Sequence, residues 1–270
     1  MKKKPVILVL AALAAAAGSA VPAHAAGSTV PAHAARSTVP AHAAVPAPGG
    51  PAAQAGFASA PTAAQLKAAL VRHRDGYRTL HVVAGKAATF TGRRSAMRGW
   101  AFSAIPPRCR TSATTGLLWD RKAAHRFRDR PAAAVELSGV GHALGESLIS
   151  VPASLPDSVF RARVPASCGK LRVSYDGRRI TVRIKPIPAA ELPDIPGATV
   201  SGVKTVLPPL WGRKKPAELA LVVVRSGPLV METYADAWGS VRPTSTSWTT
   251  TAWEHALATL RPAGEAGPEV

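Results

Sequence analysis

The sequence has few cysteines, few acidic residues and no long apolar run, and each shortage narrows what the chain can be. Among 270 residues there are two cysteines, and 15 aspartates and glutamates stand against 34 lysines and arginines. The longest apolar run, residues 6–17, is shorter than the roughly 20 residues that a membrane-spanning helix needs. No cysteine precedes position 109, which argues against a lipid-anchored lipoprotein. We therefore expect neither a membrane span nor a lipid anchor.

The motifs that carry common enzyme chemistry are also missing. The sequence has no Gly-Lys-Ser/Thr phosphate loop, no histidine pair at zinc-binding spacing and no kinase catalytic triplet. Ser147 comes closest to a hydrolase nucleophile, but residues 145–149 lack the second glycine of a nucleophile elbow, so we expect a strand residue there. We expect no catalytic residue, metal or cofactor. Six titratable candidates remain. Glu136, Glu146 and Glu232 are expected to face outward from strands, and His255 is expected on the exposed side of the last helix. The other two candidates are His142 and Asp236.

The N-terminus has the three parts of a cleaved secretory signal. Lysines at positions 2–4 precede the apolar run, and Ala23-His24-Ala25 follows it as a small-x-small cleavage site. We expect residues 1–25 to be removed by cleavage between Ala25 and Ala26 and the mature protein to be secreted. The cleavage segment recurs twice at a period of nine, so which copy is cut stays open. The Ala-, Pro- and Gly-rich residues 26–61 predict a disordered linker.

The two cysteines, Cys109 and Cys168, are expected to form a disulfide bond. An exported chain with an even number of cysteines oxidises them more readily than it keeps free thiols. A metal site would need histidines at ligand spacing, and His125, the nearest histidine to either cysteine, is 16 residues from Cys109.

Residues 62–262 predict a single α+β domain, with a disordered tail at 263–270. Thr62 and Gln65 form a capping-box pattern that opens a helix continuing to His73. Asp176-Gly177 predicts a hairpin turn between residues 171–175 and 179–185. Further strands are predicted at residues 77–83, 133–138, 144–151, 219–225 and 229–234, and further helices from Cys109 to residue 118, at 155–164 before Pro165, and at 253–260. This order predicts an antiparallel β-sheet with helices packed on one side.

The excess of positive charge is more typical of an Ala-, Pro- and Arg-rich composition with no dedicated ligand, and an anionic partner is the alternative. Wall polymers, lipid headgroups and nucleic acid are the candidate classes, although no specific nucleic acid is expected. Two basic clusters and one aromatic group could bind, and for the aromatic group the alternative is a place in the core. The clusters are a basic hairpin (Lys170, Arg172, Arg178, Arg179, Arg183 and Lys185), a second group around His125 (Arg121, Lys122, Arg126, Arg128 and Arg130), and the aromatic group Tyr234, Trp238 and Trp248.

The order and spacing of these elements resemble the PknH-like extracellular sensor domain of actinobacteria, as a stand-alone secreted member. The resemblance covers about residues 62–260. It implies an antiparallel sheet with helices on one side and a non-catalytic cleft for an unidentified ligand. The chain has no kinase domain, so the resemblance does not imply signalling across a membrane. The matching residues are Gly76-Tyr77, Cys109 with Leu117-Leu118, residues 146–152, Cys168, residues 180–182, 221–227 and 229–230, and the closing helix.

The sequence therefore favours a secreted, monomeric, non-enzymatic sensor-like binding domain whose partner is an unknown small ligand or an anionic surface polymer. Alternative hypotheses are a basic protein that binds polyanions or the cell wall, and an exported hydrolase. The candidate ligand contacts are Tyr234, Trp238, Trp248, Arg178, Arg179 and Arg183.

Overall fold

Eight antiparallel strands form one sheet in the described part of the chain, accompanied by two α-helices. The structure is a computed structural model that describes residues 60–87, 106, 109, 127–161, 163–175 and 177–260. The strand order is β1-β2-β3-β8-β7-β6-β5-β4, so the predicted α+β class with an antiparallel sheet is confirmed. The elements are α1 (Ala63–Ala68), β1 (Arg78–Lys86), β2 (Pro131–Gly139), β3 (His142–Ser150), β4 (Lys170–Tyr175), β5 (Arg178–Pro186), β6 (Thr199–Leu207), β7 (Ala217–Ser226), β8 (Leu229–Trp238) and α2 (Arg242–Leu260).

Tight turns set the register of two hairpins. In the β4–β5 hairpin Tyr175 pairs with Arg178, and Gly177 in the turn has a φ of 72°, which glycine adopts without strain. In the β7–β8 hairpin Ser226 pairs with Leu229. The hairpin predicted from the Asp-Gly dipeptide is confirmed, and so are its inward residues. These are Ile180, Val182 and Ile184, all buried.

Both helices contribute to one core cluster with the central strands. The predicted capping box is present at α1, where Thr62 Oγ1 accepts from the amide of Gln65 and the Gln65 side chain accepts from the amide of Thr62. Packing of all helices on one side of the sheet stays a prediction. Leu66 on α1 belongs to this cluster, as do Ala69 and Leu70 directly after it. The members on α2 are Trp248, Ala252, Trp253 and Ala256.

Two further clusters complete the described core. One surrounds the disulfide bond between Cys109 and Cys168, whose Cα atoms are 5.4 Å apart. This is the pairing expected from the sequence, and it joins residues 59 positions apart. The other cluster contains Phe127 and Phe160, whose rings stack with centroids 5.6 Å apart.

The helix predicted over residues 155–164 is wrong. The described residues there form only a 3-10 helix, Asp157–Val159, and a second one, Ala166–Cys168, precedes β4. Pro156 and Pro165 disfavour the helical conformation for the residues before them, Leu155 and Val164, which shortens any helix between them. Asp157 instead pairs with Arg225 and accepts a hydrogen bond from Thr199 at 2.5 Å. Tertiary contacts therefore fix this segment.

Two other element predictions also need correction, and one strand was missed. α1 ends at Ala68 rather than continuing to His73. α2 begins at Arg242 rather than near Trp253, and β6 was not predicted. The first half of α2 is rich in Ser and Thr, which are modest helix formers. Buried contacts hold it, such as the 2.7 Å hydrogen bond between Thr233 and Thr249.

Among the described residues, none of the helices combines the length and the apolar character needed to span a membrane.

Several predictions concern residues outside the described part. The predictions outside it are the signal at residues 1–25 with cleavage between Ala25 and Ala26, the linker up to residue 59, the helix after Cys109, the cations Arg121, Lys122 and Arg126 around His125, and the tail at 263–270.

Candidate functional site

The outward side of the β4–β5 hairpin is a surface of exposed cations, which we call the basic face. Side chains alternate across a strand, so buried apolar residues point inward and the intervening residues point to solvent. Outward side chains lie about 7 Å apart along each strand and about 5 Å apart between strands. The basic face consists of Lys170, Arg172, Arg179, Arg183 and Lys185.

Cations on the basic face stand directly opposite other cations. Lys170 pairs with Arg183 across β4 and β5, and Lys185 pairs with Lys204 across β5 and β6. Opposed like charges destabilise a sheet. Lys204 is balanced by Glu191 at 3.6 Å and by a second carboxylate. Within the described ranges, by contrast, no ion pair joins a basic-face residue to a carboxylate.

The basic face contains two of the three arginines predicted as ligand contacts. Arg179 and Arg183 lie on it, whereas Arg178 lies on the other side of β5, opposite Tyr175 at the turn. Of the second predicted basic cluster, Arg128 and Arg130 are described and exposed. The hairpin thus separates Arg178 from the other two.

The three aromatic residues predicted as ligand contacts do not form one group. Trp248 on α2 is fully buried and donates from Nε1 to the Gly145 carbonyl at 2.8 Å. The Tyr234 ring covers the same glycine, where an added Cβ would lie 1.9 Å from Cε1 of the ring. Trp238, at the end of β8, packs instead against Trp211 with centroids 5.8 Å apart.

Trp238 belongs to an aromatic cluster that sequence reasoning missed. Trp211 is 49 % exposed, and its ring also lies 5.3 Å from that of Tyr175. The Arg213 guanidinium lies 5.4 Å from the centroid of the Trp238 ring. The available signal was the loop sequence Trp-Gly-Arg-Lys-Lys at 211–215, which places an aromatic residue beside three cations. We call Tyr175, Trp211, Arg213 and Trp238 the aromatic tip.

The three glutamates expected to face outward are buried, so that prediction is wrong. Glu136, Glu146 and Glu232 are 7 %, 1 % and 4 % exposed. Side chains on both sides of the central strands are covered, a situation that strand alternation cannot reveal. Burial raises the pKa of Glu136, and it raises the pKa of Glu146 to about 8. These carboxyl groups belong to the interior.

Ser147, His142 and His255, the other candidate catalytic residues, lie on β3 and α2. Ser147 is a strand residue, as predicted, and it pairs with Glu232 on β8 and with Ala134 on β2. His142 packs edge-on against Tyr77. His255 is exposed on α2, as predicted. Within the described ranges, no group of three or more His, Cys, Asp or Glu side chains could hold a metal ion.

Two clefts lie beside the described strands, and neither of these is lined by a histidine together with an acid and a serine. The larger has a volume of about 410 Å³ and lies at the end of the sheet where β2 begins. Its lining is apolar except for one arginine. The lining residues are Phe127, Arg130, Pro152, Leu155, Pro156 and Val159.

No protein-family model and no curated protein matches the chain. Among solved structures, the chain is similar to the extracellular domain of PknH from Mycobacterium tuberculosis, with a TM-score of 0.47 and 8 % identity, covering 76 % of this chain and 98 % of that one. It is also similar to an uncharacterized protein from Mycobacterium smegmatis, with a TM-score of 0.36 and 12 % identity, covering 75 % of this chain and 100 % of that one. The first neighbour is the kind of domain that the sequence resembles. At these values neither likeness bears on the site or the function of this chain.

Proposed function

We propose that this chain is a secreted, non-catalytic, sensor-like binding domain whose basic face binds an anionic polymer. The observation that carries this proposal is the opposition of like charges between Lys170 and Arg183. An anion bridging the two relieves their repulsion and accepts charge-assisted hydrogen bonds from both. A polymer with repeated phosphates or carboxylates engages several such positions at once, so its affinity exceeds that of any single contact.

Protection of the sheet edge accounts for only part of the basic face. Charged side chains, especially lysines, on an edge strand discourage pairing with other chains, and β4 is an edge strand. β5, however, is an interior strand that pairs with both β4 and β6. It still presents Arg179, Arg183 and Lys185 to solvent. A binding role explains the cations on both strands.

The proposed location follows from the N-terminal signal pattern and the overall charge. The formal net charge of the chain is +19, which draws anionic surfaces over distances of about a Debye length. Cleavage after Ala25 would release the protein outside the membrane, where wall polymers carry repeated anionic groups. A monomer suffices, because the basic face belongs to one hairpin.

Binding to long-chain inorganic polyphosphate tests the proposal. The variant Arg172→Gln/Arg179→Gln/Arg183→Gln removes three cations from the basic face. The control Lys67→Gln/Arg72→Gln/Arg161→Gln removes three exposed cations elsewhere. We expect the first variant to bind at least about tenfold more weakly, with a shallower dependence of affinity on salt concentration. The control should stay within about twofold of the wild type, because its charges lie outside the basic face.

Equal losses in both variants would show that only net charge matters and would reject a dedicated surface. Unchanged affinity in the basic-face variant would reject the proposal outright. All the substituted side chains are exposed, so we expect both variants to keep the unfolding midpoint of the wild type. That midpoint checks that any loss of binding does not come from loss of the fold.

A further inference from the structure

One end of the sheet, distinct from the basic face, carries exposed apolar side chains. Among the described residues, three large apolar side chains are exposed: Leu80, Val140 and Trp211. Val140, in the β2–β3 turn, is 94 % exposed, and Trp211, in the β6–β7 loop, is 49 % exposed. Single exposed apolar residues are ordinary on a protein surface. They indicate a binding surface only where they lie close together.

The strand register brings Val140 and Trp211 to the same end of the sheet. β3 starts after the Val140 turn, and its Leu144 pairs with Ala235 near the end of β8. Trp238, the last residue of β8, pairs with Ala217, where β7 begins after the Trp211 loop. Three strand spacings, about 14 Å, separate the turn from the loop. Val140 and Trp211 therefore project from the same end of the sheet.

Trp211 holds its exposed position with an unusual backbone. Its φ of 50° is positive, and bulky residues rarely adopt this left-handed conformation. The ring is fixed by Trp238 and Tyr175, with centroids 5.8 Å and 5.3 Å away. A strained backbone and a fixed ring that stays half exposed are typical of a functional surface.

Exposed cations lie in the Trp211 loop and opposite Tyr175, one of the ring partners of Trp211. Arg178 stands opposite Tyr175 on the hairpin, and three more cations follow Trp211 in its loop. Within the described ranges, none of the four makes an ion pair with an acid. The nearby acids Asp236 and Glu218 accept backbone hydrogen bonds from the amides of Ala143 and Val241. The four exposed cations are Arg178, Arg213, Lys214 and Lys215.

We propose that the aromatic tip and Val140 dock together on an anionic lipid surface. Trp211 and Val140 enter the headgroup layer, while Lys214, Lys215 and the neighbouring arginines contact lipid phosphates. A lipid surface explains both apolar projections. A sugar polymer stacking on Trp211 would give Val140 no role, because only aromatic rings offer a stacking face.

Co-sedimentation with lipid vesicles tests this docking. We expect the wild type to bind vesicles made of equal parts phosphatidylglycerol and phosphatidylcholine, and not vesicles of phosphatidylcholine alone. Trp211→Ser and the pair Lys214→Gln/Lys215→Gln should each weaken binding at least about fivefold, and Val140→Ser should weaken it less. The control Lys67→Gln/Arg161→Gln removes two exposed cations outside the aromatic tip and should change binding less than about twofold.

Wild-type binding by Trp211→Ser, or an equal loss in the two charge variants, would overturn the proposal. Reduced binding of the tip variants to a soluble anionic polysaccharide, with vesicle binding unchanged, would assign the tip to a glycan and also overturn it. Trp211→Ser removes ring packing. If Trp211→Ser unfolds, the binding of Lys214→Gln/Lys215→Gln decides the question. The tip variants should bind polyphosphate within about twofold of the wild type. Lipid docking by the aromatic tip can therefore fail or succeed independently of polymer binding by the basic face.

Discussion

At the scale of single residues, Glu146 makes the clearest energetic prediction. Its Oε2 accepts a hydrogen bond from the amide of Val71 at 3.0 Å, just after α1, and burial raises its pKa from 4.5 to about 8. Between these values the folded protein holds a proton that the unfolded chain has released. The stability of the protein therefore falls as pH rises from about 4.5 to about 8, by up to ~1.4 kcal/mol per pH unit.

Urea unfolding of Glu146→Gln beside the wild type, at about pH 5 and about pH 8, measures this effect. Glutamine keeps an oxygen acceptor for Val71 but has no proton to lose. We expect the wild type to lose stability relative to Glu146→Gln across this range. Glu254→Gln, at an exposed position on α2, should follow the wild type. Parallel pH profiles for the wild type and Glu146→Gln would contradict the prediction.

At the scale of elements, the contact between Tyr234 and Gly145 links β8 to β3. An alanine Cβ at position 145 would lie 1.9 Å from the Tyr234 ring, and both strands are central in the sheet. Gly145→Ala should therefore destabilise the protein by at least about 2 kcal/mol, since overpacking a buried strand forces the ring or the backbone to move. The Tyr234 ring covering this glycine is a stabilising device within the sheet.

A double-mutant cycle tests whether the ring causes this cost. Tyr234→Ala alone should destabilise the protein by about 3 kcal/mol through lost burial. In the Tyr234→Ala background the space above position 145 is open, so adding Gly145→Ala should cost much less than it does in the wild type. Additive effects, measured by denaturant unfolding, would show that the clash lies elsewhere.

The elements predictable from sequence are those with local signals. The β4–β5 hairpin has a turn dipeptide and a strict alternation, so the outward placement of Arg183 followed from neighbouring residues alone. β6 lacks such a signal because loops, and not a tight turn, join it to its neighbours β5 and β7, and because Gly202 interrupts its pattern. Gly202 lies where a Cβ would be 2.8 Å from the Leu221 carbonyl oxygen, and Lys204 is matched by Glu191 and Glu218. Those contacts exist only once the sheet has formed.

The same limit applies to the candidate site. Trp248 and Trp238 look alike in sequence, yet one is a core residue and the other part of the aromatic tip, because burial depends on which distant elements pack over each ring. Trp211 was missed because a half-exposed aromatic residue in a loop has no periodicity. Its positive φ and its packing on Tyr175 appear only in three dimensions.

At the scale of the whole molecule, the β4–β5 hairpin joins the two proposed surfaces. Its outward side is the basic face, and its turn places Tyr175 against Trp211 at the aromatic tip. Cys168 lies immediately before β4, so its disulfide bond with Cys109 ties this hairpin to a residue that precedes β2. The bond is therefore placed to hold the hairpin in the fold.

Removing that bond should destabilise the whole molecule. By the chain-entropy model, closing a loop with a sequence separation of 59 contributes about 4 kcal/mol, because it restricts the unfolded chain. Cys109→Ala/Cys168→Ala should unfold at a lower urea concentration by a corresponding amount. Reductant should shift the unfolding midpoint of the wild type toward that of this variant and leave the midpoint of the variant unchanged.

Mass analysis under the same conditions shows whether the wild type has two free thiols. If it does and its unfolding midpoint is unchanged, the bond does not stabilise the fold. Both cysteines are fully buried in the cluster beneath β4 and β5, so weakened polyphosphate binding by the reduced protein would connect the loss of stability to the basic face.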